Sequence, residues 1–207
     1  HIAKLYEDAG VSSSVVQFGD AGMGVLPPGF MSASFPVWNV MEGGGFPNFI
    51  TPAGSGPPNV TSMLLLDIYN WTATRFPGHT FSQTSSAYDW NQAFFRKTQI
   101  IDESSVIGSQ DKVDWHNAMV SQYLPAAVRA DHAPNYREFV GPGDFHCIIG
   151  GDRFWWADSG DGVPVHLKLH ELVFGGGLPS VSSAYCTDKD PNYCKQGVDL
   201  RTTLAFI

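Results

Sequence analysis

Two residues in this chain have the type and the setting for acid–base chemistry. His146 stands in EFVGPGDFHCIIGGDRFW, residues 138–155. There REFV reads as a strand and GPGD as a turn, and the histidine follows just past the strand's end. A histidine in that place can be a core side chain with its ring nitrogens hydrogen-bonded. It can also be a proton-transfer group, because residues just beyond strand ends are where enzymes present catalytic side chains. The second reading needs a partner, and Asp89 offers one. In HTFSQTSSAYDWNQAFF, residues 79–95, a run of β-formers empties into Ala87, Tyr88 and Asp89, after which Trp90 to Lys97 resumes helical character. A carboxylate beside an imidazole fixes its tautomer and stabilises the imidazolium, while the imidazole moves a proton from nucleophile to leaving group. The chemistry that such a pair suggests is acyl transfer.

The elements that must position this pair alternate. SSSVVQFGD (12–20) reads as a strand emptying into a glycine-rich loop, GDAGMGVLPPGF. From about 27 to 60 the composition turns loop-like, because Pro27, Pro28, Pro36, Pro47, Pro52, Pro57 and Pro58 interrupt any long regular element. Phe30, Phe35, Trp38, Phe46 and Phe49 stud this insertion; such aromatics either cover the core or wall a cleft. The stretch 61–76 predicts a helix capped by Thr61 or Ser62 and stopped by Pro77-Gly78. A further helix is expected over about 110–130, delivering the chain to the strand NYREFV, and another over 163–176 between Pro164 and Gly175-Gly176. Strand–loop–helix, strand–Asp–helix, strand–His–helix is the pattern of an open α/β sheet, in which ligands bind at the carboxyl ends of the strands.

Whole-chain properties narrow the setting. With 207 residues, 43% hydrophobic, the chain can build one sizeable core and is read as a single unit. A net charge of -8 provides no basic field for nucleic acid. SMLLLDIYNW, interrupted by Asp67 and Asn70, falls short of the roughly 18 apolar residues of a membrane span. Cys186 and Cys194 flank a short polar loop, YCTDKDPNYC, which closes readily into a local disulfide; Cys147 is left without an obvious mate. Asn59-Val60-Thr61 and Asn70-Trp71-Thr72 are glycosylation sequons, and with the cysteine loop they favour a secreted protein. HIAKLYEDAG resembles the last turns of a helix rather than a leader peptide. No cofactor or metal is expected. His166 and His170 share a helix face without a Glu-x-x-His frame, and the loop Asp188, Asp190, Asn192 has Tyr193 where a calcium loop needs glycine. GDAGMG runs into prolines rather than into a phosphate-binding helix.

SSAYDWNQAFF, GPGDFHCI followed by DRFW, VVQFGDAGMGV followed by PPGF, and WNV together resemble the C-terminal part of the pectin acetylesterase and Notum-type carboxylesterase family, an α/β-hydrolase group. The resemblance runs to about residue 194, the cysteine-containing tail being about 178–207. It implies that residues 1–207 are the C-terminal portion of one α/β-hydrolase-like domain lacking the N-terminal strands. It further implies Asp89 as triad acid, His146 as triad base, and the loop from Asp20, with Trp38, as part of the substrate pocket. The activity implied is that of a secreted serine esterase acting on acylated polysaccharide or acylated protein. In such a fold the triad follows the order Ser, Asp, His, and Asp89 and His146 fill the last two places. The first is missing: Ser55, in PAGSGP, follows no strand, and Ser12, Ser13 and Ser14 precede one. The nucleophile is therefore expected upstream of His1, on an N-terminal segment or chain. A different class remains, a non-catalytic esterase-like module used for binding or assembly.

Overall fold

The computed structural model of the chain describes residues 2–27, 29–40, 63–99, 106–123, 133–175, 183–188, 190, 192–198 and 203–204. Ser55, Phe46, Phe49, the sequon at Asn59 and the expected caps Thr61 and Ser62 lie outside them. The architecture is mixed α/β, with a four-stranded parallel sheet flanked by helices. The sheet is built from β1 (Val16–Asp20), β2 (Thr80–Ser86), β4 (Tyr136–Gly141) and β5 (Ala184–Tyr185), side by side in that order. Asp20 pairs in register with Thr84, and Ser86 with Gly141. Because every pairing is parallel, the segments that follow β1, β2 and β4 leave the sheet at one edge. A separate antiparallel pair joins β3 (Val106–Ile107) to β6 (Thr203–Leu204).

The helices are α1 (Ile2–Asp8), α2 (Phe30–Val37), α3 (Leu65–Arg75), α4 (Trp90–Gln99), α5 (Ser109–Ala118), α6 (Arg153–Trp156) and α7 (Val165–Phe174). Three depart from expectation. α2 forms inside the proline-rich insertion, starting after Gly29 in a left-handed conformation (φ 80°) and tolerating Pro36 near its end. α3 begins at Leu65, where the Asp67 carboxylate accepts the Leu64 N–H at 2.7 Å and so supplies the cap. α5 passes into a π-helical turn, Met119–Tyr123.

The central strand β2 is unusual for a parallel sheet. Such strands are ordinarily runs of Val, Ile and Leu, whereas Ser82, Gln83, Thr84, Ser85 and Ser86 are all buried. Their small hydroxyls return to the backbone: Ser82 Oγ donates to Gln17 O at 3.0 Å and Thr84 Oγ1 to Phe139 O at 3.3 Å. A polar centre is thereby made compatible with burial. The apolar core lies beside it, around Leu66, Phe76, Trp115, Met119, Tyr136 and Val140. Cys186 and Cys194 are bridged, and Cys194 O accepts the Gly143 N–H at 3.0 Å, tying the disulfide loop to the turn after β4. Cys147 is free and exposed. No helix among the described residues is long and apolar enough to cross a membrane.

One buried acid stands out. Glu138, in the middle of β4, is 0% exposed and accepts hydrogen bonds from Tyr123 at 2.7 Å and Tyr185 at 3.2 Å. Burial pushes its carboxyl up to about 7, against the pull of those tyrosine hydroxyls. The folded state thus holds this proton more tightly than the unfolded chain does. The resulting stability is fully present below about pH 4.3, the ordinary glutamate value, and is lost as pH rises through about 7. Glu138→Gln cannot titrate. In urea melts it should match the wild type near pH 4 and exceed it at pH 8, by on the order of 3 kcal/mol; equal stability at both pH values would contradict the account.

Candidate functional site

Asp89 and His146 meet at the carboxyl edge of the sheet because the segments following β2 and β4 are joined by backbone hydrogen bonds. Ala87 N donates to Gly141 O at 2.8 Å, Tyr88 N to Gly143 O at 2.9 Å and Trp90 N to Asp144 O at 3.0 Å. These three bonds bracket Asp89 on one side and end two residues before His146 on the other. Lys112, 1% exposed on α5, holds the Asp144 carboxylate at 2.7 Å and fixes the same turn from behind. His116 Nδ1 donates to Ala87 O at 2.8 Å, and its ring stacks on Tyr88, with centroids 4.3 Å apart.

His146 Nδ1 lies 3.0 Å from both carboxylate oxygens of Asp89. Asp89 is completely buried, and its Oδ1 also accepts the N–H groups of Asn91 at 3.0 Å and Gln92 at 2.9 Å. It is therefore the N-cap of α4 as well as the partner of the histidine. The helix start supplies donors and a favourable dipole for a carboxylate held away from water. The Asp89 hydrogen bond raises the His146 pKa above its ordinary value, partly opposed by burial and helped by the charges of Asp89 and Asp20. Trp90 packs edge-on against the imidazole, centroids 6.5 Å apart.

Gln92 was not singled out by its sequence position, although Asp-x-x-Gln at a helix start is a capping pattern that marks it. Its Nε2 donates to Asp89 Oδ2 at 3.0 Å and to Ser85 Oγ at 2.8 Å, and its Oε1 accepts the Gly24 N–H at 3.1 Å. The glutamine thus links the triad-like acid to the loop after β1. Gly24 has φ 60°, and a Cβ there would stand 2.2 Å from Leu65 Cδ2, so the loop needs glycine at this point.

That loop and α4 enclose a cleft of about 320 Å³ in which His146 is exposed, with Val25, Leu26 and Phe95 among its walls. The other ring nitrogen of His146 has no hydrogen bond from the described residues. Asp20 does not line this cleft. Its carboxylate accepts the N–H groups of Ile148 and Ile149, both at 2.9 Å, and so clamps the segment just after His146 onto the end of β1. Trp38 is 60% exposed at the end of α2, packs edge-on against Phe30 and is absent from the cleft wall. Asn70 sits on α3, where its Oδ1 accepts the Ala133 N–H at 2.6 Å and ties two parts of the fold together. Among the described residues no group of three or more His, Cys, Asp or Glu is placed to hold a metal ion.

Compared with models of protein families, with curated proteins and with solved structures, the chain matches none.

The raised His146 pKa has a direct check. Titration of the imidazole by NMR should give a midpoint above the ordinary value of about 6.5, and Asp89→Asn should lower it. Protonated His146 binds Asp89 most strongly. The stabilisation from the pair is therefore full below about pH 6.5 and declines as pH rises through the folded midpoint. A midpoint unmoved by Asp89→Asn would contradict the coupling.

Proposed function

We propose that this chain supplies the acid and the base of a Ser-His-Asp hydrolase of the α/β-hydrolase type, similar to the pectin acetylesterase and Notum-type carboxylesterases. The observation that carries the reading is the Asp89–His146 pair, seated at the carboxyl edge of a parallel sheet with the imidazole open to a cleft. Asp89 holds Nδ1–H, so the opposite nitrogen, Nε2, is free to take the proton of an attacking hydroxyl. The ester carbonyl is then attacked, and the same proton goes from Nε2 to the leaving alkoxide; water repeats the cycle to release the acid. The Asp89 side chain holds the ring and stabilises the imidazolium in both halves. Only the neutral imidazole can act as base, so turnover should rise with pH through the His146 midpoint.

The nucleophile comes from a segment outside residues 1–207. Among the described residues no serine hydroxyl bonds to His146, and β1 is an edge strand with one side unpaired. On α1, which precedes β1 in the chain, Ile2 and Leu5 are 61% and 65% exposed. A further parallel strand beside β1, ending in a nucleophile turn, would cover the edge and bring a serine toward His146. The substrates proposed are acyl esters on polysaccharide or protein, and the setting proposed is extracellular, as the disulfide favours.

Labelling with a fluorophosphonate probe tests this on the protein that carries residues 1–207 together with its N-terminal segment. A labelled serine in that segment, with turnover of short acyl esters falling at least about 10³-fold in His146→Ala, is the expected result. No label on demonstrably folded protein would overturn the hydrolase reading in favour of a non-catalytic module.

A further inference from the structure

At Gln92 the cleft wall and the acid–base pair share a side chain. The residue is 9% exposed in the first turn of α4 and lines the same cleft as His146. Its carboxamide is bonded at both ends. Nε2 donates to Asp89 Oδ2 at 3.0 Å and to Ser85 Oγ at 2.8 Å, and Oε1 accepts the Gly24 N–H at 3.1 Å. The Gly24 N–H can only donate, and the Ser85 hydroxyl directs its own proton to Ser86 O at 3.4 Å. The carboxamide is thereby held in one orientation, oxygen toward the loop and NH₂ toward the acid.

Each end acts on a different part of the site. At the acid, Oδ1 is occupied by the backbone N–H groups of Asn91 and Gln92, which fix where the carboxylate sits. Oδ2 is shared: His146 Nδ1 and Gln92 Nε2 both stand 3.0 Å from it. A hydrogen bond donated to a carboxylate draws off part of the charge that stabilises a neighbouring imidazolium, so the glutamine sets how much of Oδ2 is left for the ring. At the loop, Gly22, Gly24, Val25 and Leu26 all line the cleft, and Gly24 is the point where the glutamine grips them. An amide group is planar and rigid, so its oxygen and nitrogen move together. Displacing the loop therefore disturbs Nε2 as well as Oε1, and such a coupling runs equally in both directions.

We propose that Gln92 is a positioning residue for the base: with Gly24 bonded to Oε1 the carboxamide holds Nε2 on Asp89 Oδ2, and with the loop displaced Oδ2 is released to the imidazole. Resting on the hydrolase reading, this makes the loop after β1 a regulator of the base. A seated loop favours the neutral ring that can accept a proton; a displaced loop favours the imidazolium. Asp89 and Asp20 are the charged groups that act on His146, and Arg96 stands in the cleft wall. The relay works through Asp89 and leaves Asp20 and Arg96 in place.

The His146 midpoint reads the relay without turnover. In NMR titrations of the protein that carries residues 1–207, Gln92→Met removes the donor to Oδ2 and should raise the midpoint. Gly24→Val puts a β-branched residue at φ 60°, which forces the loop to shift; it should raise the midpoint too, by no more than Gln92→Met does. The double variant should sit at the Gln92→Met midpoint, because both changes act through one carboxamide. In the wild type the Gly24 amide and the Gln92 side-chain NH₂ resonances should follow the His146 titration, Gly24 by more than Gly22, whose carbonyl bonds Tyr69 instead. This last measurement needs no substitution, so it decides the matter even where circular dichroism finds a variant unfolded. A midpoint unmoved or lowered in Gln92→Met, shifts that add in the double variant, or a Gly24 amide indifferent to the titration would each overturn the relay. Where short acyl esters are turned over, the rising limb of the pH profile should move with the midpoint in each variant. Midpoints that behave as described without turnover of any ester would leave the relay standing and count against the hydrolase reading alone.

Discussion

The site depends on one constraint: two consecutive strand ends of a parallel sheet are tied to each other beyond the sheet. Strand pairing alone brings Ser86 and Gly141 side by side. The backbone bonds from Ala87, Tyr88 and Trp90 continue that pairing into the turns, where side chains are usually free to wander. Asp89 and His146 are 57 residues apart in sequence, and they hold a 3.0 Å geometry because each is fixed within two residues of a backbone bond. The side chains around them extend this anchoring. Lys112 grips Asp144, Asp20 grips Ile148 and Ile149, and Gln92 grips Asp89 and Gly24. Each is a charged or amide group bonded to a neighbour it would be costly to leave bare, so the imidazole is held from both chain directions.

Burial of polar groups is the theme that links fold and site. β2 carries serines and a threonine where a parallel sheet would ordinarily carry Val and Ile, and their hydroxyls are spent on neighbouring carbonyls. Glu138 is kept among tyrosines, with a carboxyl raised by burial. The match is not complete: Gln83 Oε1 on β2 and Trp115 Nε1 on α5 are buried without a hydrogen-bond partner among the described residues.

Much of the scaffold was legible in the sequence because its signals are local. The β-formers of residues 12–20, 79–86 and 135–140 and the Pro/Gly brackets around α7 placed those elements to within a few residues. Asp89 and His146 were legible for the same reason: each follows a strand signal directly. What was not legible depends on contacts distant in sequence. Prolines hid α2, since Pro36 is tolerated near a helix end that no local rule located. The family resemblance gave Trp38 to the substrate pocket; the residue stands 60% exposed at the end of α2 and is not among the described residues that line the His146 cleft. Asp20 was legible as a strand-end residue, but its bonds to residues 128 and 129 positions away could not be seen in its own surroundings. Arg96 and Trp115 belong to different helices, and only packing of α4 on α5 makes them neighbours of one cleft.

The central claim is that Asp89 sets the proton on Nδ1 of His146 and leaves Nε2 as the reactive lone pair. ¹⁵N NMR of the imidazole at a pH above its midpoint measures this directly. The account predicts a protonated Nδ1 and an unprotonated Nε2 for His146 in the wild-type protein. A neutral ring with its proton on Nε2 would contradict it.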